Sequence, residues 1–124
     1  MPKGSSLSVG ATYLDKEGRI EQLRQAAMRA RKRAPEIKRV ILFGSLASGI
    51  PSPRSDADLL IVVESSPHRH SRDRIPDALH ALRPLPCAVD LYVLTSEEVE
   101  RFQRDGSPLL RIALTNGKDL LPAD

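Results

Sequence analysis

Arg39-Val40-Ile41-Leu42-Phe43-Gly44-Ser45-Leu46-Ala47-Ser48-Gly49, followed after five residues by Ser55-Asp56-Ala57-Asp58-Leu59-Leu60-Ile61-Val62-Val63, holds the two runs that decide the fold. The run Arg39–Phe43 is aliphatic and β-branched and stops at a glycine, the pattern of a short buried strand. Asp58–Val63 is a second such run, and its unbroken apolar character suits a strand covered on both faces. Between them, Gly44 to Gly49 reads as a tight turn entering a short helix. Pro51, Ser52 and Pro53 then break regular structure into a loop.

Outward from this centre the pattern alternates between helix and strand. Upstream, Ile20, Leu23, Ala27, Ala30 and Ala34 fall on one stripe of a helix from about Leu14, which Pro35 stops. Residues 1–12 lack sustained periodicity and are rich in Gly and Ser, so they are expected as a flexible N-terminal arm to a domain over 13–124. Downstream, a polar loop from Ser65 to Arg72 leads into a helix marked by Ile75, Ala78, Leu79 and Leu82, closed by Pro84 and Pro86. Ala88–Leu94 is a third strand. Thr95 and Glu98 fit a capping box that opens a helix through about Arg104. Ser107 as N-cap and Pro108 at the first helical position begin a last helix, which Gly117 ends, and Lys118–Leu121 can add an edge strand. With no repeat and no linker, this order predicts a single α/β sheet domain.

The 124 residues suffice for one core. With 40% apolar residues but only 3% aromatics, that core must be aliphatic. No apolar run approaches the ~20 residues of a membrane span, and the polar start of the chain does not read as a signal peptide. The single Cys87 cannot close an internal disulfide. A cytoplasmic protein is therefore expected, without a membrane association. The net charge of +3 and a pI near 9.4 favour anionic partners in general, and a nucleic acid is not required by them.

Two features carry chemistry. Gly44-Ser45-Leu46-Ala47-Ser48-Gly49 leaves a strand and enters a helix, where glycine allows close backbone approach to a bulky anion and free N–H groups point outward. A triphosphate tail suits this place, although such a turn also serves as a plain tight connection. Asp56 and Asp58, at the mouth of a strand, leave the same face with Cα atoms ~6–7 Å apart. Carboxylates ~4 Å apart repel by about 4 kcal/mol at an effective dielectric near 20, a repulsion that a hard cation such as Mg²⁺ or Mn²⁺ relieves. The alternative is one Asp capping a turn and the other facing solvent. Asp90 interrupts the apolar strand Ala88–Leu94, where a charge is costly unless it is paired or binds metal. If that strand lies beside the Asp58 strand, Asp90 completes a three-carboxylate site; otherwise it is an acidic residue on an exposed edge.

These residues resemble the minimal nucleotidyltransferases of the DNA polymerase β superfamily, whose pattern runs G-S-x-A-R-G, five residues, S-D-x-D-L, and then a third Asp on a later strand. The likeness covers roughly residues 38 to 94. It implies a polymerase β-like fold with a mixed β-sheet packed with α-helices. It further implies that Gly44, Ser45, Gly49 and Ser55 bind the nucleotide phosphates, that Asp56, Asp58 and Asp90 hold Mg²⁺ (or Mn²⁺), and that Asp90 helps activate an acceptor hydroxyl. The implied reaction is transfer of a nucleoside monophosphate, AMP from ATP, with pyrophosphate leaving. Small members resemble the antitoxin half of toxin–antitoxin modules whose partner is a helical HEPN-type ribonuclease. Larger relatives carry a helical domain for the acceptor, for which 124 residues leave no room, so the resemblance implies an acceptor on a partner protein.

One position departs from the pattern: Ser48 stands where the family has Arg or Lys, and Arg54 in the following loop is the candidate replacement. That departure keeps open a second reading, a binding module that neutralises its partner by contact alone, and a third, a regulatory nucleotide-binding subunit. Elsewhere, His68 and His70 suit a solvated loop, His80 has no assigned role, Cys87 reads as a small buried hydrophobe and Tyr92 as packing. The arginines of the first helix read as a solvated face able to meet an acidic partner.

Overall fold

The β-branched runs become strands, and the polar stretch 64–70 and the proline-bearing stretch 83–88 become connections. A computed structural model describes residues 4–44 and 57–122, with side chains from residue 16 onward. Strands β1 (Ile37–Phe43) and β2 (Ala57–Val63) pair antiparallel, with Leu42 opposite Leu59 and Phe43 opposite Asp58. Strand β3 (Val89–Thr95) joins β2 in parallel, and the two-residue β4 (Lys118–Asp119) joins β1 antiparallel. The sheet order is β3-β2-β1-β4, a mixed sheet with β2 and β1 inside. The turn signalled at 44–49 and the loop to Asp56 lie outside the described residues beyond Gly44.

Helices cover both faces. Alternation along β1 sends Val40 and Leu42 to one side and Ile41 and Phe43 to the other. On the first side, Val40, Leu42, Leu59 and Ile61 bury against Leu23, Ala27 and Ala30 of α1 (Gly4–Arg33) and Ala78 and Leu82 of α2 (Ile75–Leu82). On the second, Ile41, Leu60, Val62 and Leu94 bury against Val99 of α3 (Ser96–Asp105) and Leu110 and Ala113 of α4 (Pro108–Asn116). Among the described residues, four α-helices on a four-stranded mixed sheet form one small α/β domain. Among the described residues no helix is long and apolar enough to cross a membrane.

The helix ends follow their local chemistry. Thr95 accepts from the Glu98 N–H while Glu98 accepts from the Thr95 N–H, closing the capping box. Ser107 caps α4 with Pro108 in its first turn, and Gly117 follows its last residue. The start of α1 differs from expectation. Helical backbone begins at Gly4 rather than near Leu14, so residues 4–12, read from the sequence as an arm, belong to the helix. Gly and Ser each cost at most about 1 kcal/mol relative to Ala in a helix. No proline lies between Pro2 and Pro35, so a helix already formed over Leu14–Arg33 can propagate backwards residue by residue.

The arginines of α1 do more than face water. Arg29 donates to the carbonyls of Leu82, Arg83 and Pro84, at 3.0, 3.0 and 2.7 Å, and Arg33 donates to those of Ala81 and Arg83 at 3.2 and 2.7 Å. They satisfy carbonyls that the end of α2 leaves without intrahelical partners. Arg74, which the sequence did not mark, is 5% exposed and ties the turn at Ser71–Arg74 to β3 and α3. It donates to the carbonyls of His68, Arg69 and Val93 and to both carboxylate oxygens of Glu98, at 2.6 and 3.1 Å.

Candidate functional site

The site residues gather where β1 ends and β2 and β3 begin. Because β2 and β3 run parallel, their first residues lie at the same end of the sheet, and the register sets Asp58 opposite Asp90. Neighbouring strands lie ~4.8 Å apart, so the two carboxylates leave adjacent backbones side by side. Both are even-numbered steps from residues of the second core, Leu60 and Val62 on β2 and Leu94 on β3, and so occupy the face covered by α3 and α4. Asp58 is half-buried and Asp90 exposed. Burial of Asp58, followed by the charge of Asp90, pushes the Asp58 carboxyl above its ordinary range.

Gly44 closes the group from the other side. It follows Phe43, the β1 partner of Asp58, and turns with φ +83°. A Cβ at Gly44 would overlap Oδ2 of Asp58 and lie 3.0 Å from its Cγ. Glycine is thus needed here twice, for the left-handed backbone and for the space that the carboxylate fills. Tyr92, two residues beyond Asp90 on the same face, is 36% exposed and sets its ring 5.7 Å from that of Phe43, in keeping with a packing role.

Of the residues singled out from the sequence, Gly44, Asp58 and Asp90 come together. Asp56, Ser45, Gly49 and Ser55, together with Ser48 and Arg54, lie outside the described residues. Among the described residues no group of three or more His, Cys, Asp or Glu side chains could hold a metal ion. Asp58 and Asp90 alone make a two-carboxylate anionic corner. Their chemistry fits a hard divalent cation: oxygen donors only, and a like-charge pair whose repulsion a cation relieves. His68 sits elsewhere, 3.5 Å from Asp77, and Cys87 packs against the first core as a small hydrophobe would.

The sequence profile of the nucleotidyltransferase domain matches residues 23–118, most of the chain, and the protein belongs to that family. Its arrangement is also similar to that of a candidate nucleotidyltransferase from Sulfolobus solfataricus, with 25% identity and a TM-score of 0.56 over 82% of this chain and 84% of that one. A second solved structure, named as a toxin–antitoxin with AMP-PNP, shares the fold at 20% identity and a TM-score of 0.50, over 82% of this chain and 74% of that one. No curated protein matches the sequence significantly.

Proposed function

We propose that this domain is a Mg²⁺-dependent nucleotidyltransferase that moves AMP from ATP to a hydroxyl on a partner protein, in the manner of the minimal nucleotidyltransferase antitoxins. The observation that carries the reading is the direct register of Asp58 and Asp90 beside Gly44, in a chain whose family is nucleotidyltransferase. Asp56, Asp58 and Asp90 hold the cation, and Gly44, Ser45, Gly49 and Ser55 hold the phosphates. A divalent cation bound there (Mg²⁺ or Mn²⁺) offsets the charge of the triphosphate and lowers the pKa of the acceptor hydroxyl. The acceptor oxygen attacks the α-phosphorus, the bond to the bridging oxygen breaks, and pyrophosphate leaves. Asp90, exposed on the outer strand, stands on the open side and takes the acceptor proton.

The partner in this reading is a helical HEPN-type protein, met in the cytoplasm and without nucleic acid. The family resemblance of the motif supports it, as does the likeness to a fold seen in a toxin–antitoxin structure. A second reading follows from Ser48, where the family pattern has a basic residue: the domain keeps the fold and silences its partner by contact, or serves as a regulatory nucleotide-binding subunit. Incubation with α-labelled ATP, Mg²⁺ and the protein encoded next to this one separates them. Transfer predicts label on the partner. Label that stays free while the complex forms removes the transferase reading and favours the binding module.

A further inference from the structure

We propose that Gly44 is a positioning residue for the Asp58 carboxylate, its missing side chain being the slot in which that carboxylate rests. The proposal rests on the nucleotidyltransfer reading only where it makes Asp58 a cation ligand; the contact itself stands on the geometry.

Asp58 is pinned on both sides. Its backbone pairs with Phe43 on β1 and with Asp90 on β3, so the strand cannot slide to relieve a collision. Its carboxylate lies between Gly44 on one flank and a like charge on the other. A Cβ on Gly44 would overlap Oδ2 and stand 3.0 Å from Cγ and 3.3 Å from Cβ of Asp58. The atoms that meet it most closely are the carboxyl end of a short side chain, with the Asp58 Cβ next and no backbone atom among the nearest three. The collision therefore costs the fold little and moves the ligand oxygen instead. This differs from a glycine that merely lets a phosphate approach, because the group accommodated is the protein's own.

Two effects of substitution need separating, since φ +83° also disfavours most side chains. Asn tolerates left-handed backbone far better than Ala while carrying the same Cβ. Gly44→Asn thus tests the slot, and Gly44→Ala adds the backbone strain. With Mn²⁺ alone as probe, calorimetric titration of the folded Gly44→Asn protein should show affinity lowered roughly tenfold or more, the scale on which misplacing a ligand's support acts. Its Tm should fall only slightly, and Gly44→Ala should melt lower. In an Asp58→Ala background, where the carboxyl group is gone and only the Cβ 3.3 Å away remains, the Tm loss from Gly44→Asn should shrink. Wild-type affinity for Mn²⁺ in Gly44→Asn overturns the positioning role and leaves the proposed function standing. Equal Tm losses in both backgrounds overturn the contact. A wild-type protein that binds no Mn²⁺ removes the metal reading, and the melting comparison then decides the contact by itself.

Discussion

Asp58 and Asp90 are direct partners across the parallel β2–β3 pair, and burial, followed by the charge of Asp90, holds the Asp58 carboxyl above its ordinary range. The two like charges oppose each other there, and the effect falls on Asp58, whose charged form is disfavoured in the cation-free protein.

The consequence for stability has a definite sign. Asp58 has a folded-state pKa raised above 3.8, so between that value and the raised one the folded chain binds more protons than the unfolded chain. Stability from this group is therefore present in acid and lost as pH rises through the window. Without divalent cations, Asp58→Asn should melt at a higher temperature than wild type at pH 7. The gap should close as pH falls into the ordinary carboxylate range. A variant that melts lower at neutral pH would mean that the repulsion is already relieved within the protein.

Cation and nucleotide should act in the opposite direction. At 100 times its dissociation constant a ligand stabilises the folded state by about 2.7 kcal/mol, and Mg²⁺ with ATP should raise the wild-type Tm accordingly. EDTA should reverse the rise, and Asp58→Asn or Asp90→Asn should abolish it. The rise should also weaken in acid, because the proton that Asp58 holds more tightly than usual competes with the cation. Thermal melts with and without EDTA check all of this.

What the sequence made legible was local. Val40–Phe43 and Leu59–Val63 announce strands by composition, and Thr95 with Glu98 or Ser107 with Pro108 announce helix starts by side chains three residues or fewer apart. The neighbourhood of Asp58 and Asp90 could be stated only conditionally, because strand adjacency is fixed by packing across a helix and not by spacing. The contact of Gly44 with Asp58 required both a register and a backbone angle, neither of which a glycine in a sequence declares. Arg29 and Arg33 looked like a solvated face because their partners are carbonyls more than forty residues away, and carbonyls leave no trace in a residue pattern.

Those arginines support a separate expectation. Arg29→Ala and Arg33→Ala should each destabilise the protein by about 1 kcal/mol, the ordinary net worth of such bonds at a partly exposed site. The loss should change little between low and high NaCl, since the acceptors are neutral carbonyls and not carboxylates. Lysine should restore only part of it: a single ammonium lacks the fork that lets Arg29 reach three carbonyls at once. Denaturant melts at two ionic strengths measure both effects, and a strong salt dependence would point to an ion pair in their place.

Arg74 and Glu98 give the largest expected change. Arg74→Met leaves the half-buried Glu98 carboxylate without its guanidinium partner, and strips the carbonyls of His68, Arg69 and Val93 of a donor. Breaking a buried pair from one side costs about 3 kcal/mol or more, whereas removing both charges costs much less. Arg74→Met with Glu98→Leu should therefore be more stable than Arg74→Met alone, although the second change also removes half of the capping box at Thr95. Acid provides an independent check. The Arg74 hydrogen bond, foremost, lowers the Glu98 pKa below 4.5, so the pair's contribution is fully present above that value and is lost as pH falls through the lowered one. The gap between wild type and Arg74→Met should accordingly narrow in acid. A gap independent of pH would place the cost in the lost carbonyl bonds and not in the stranded carboxylate.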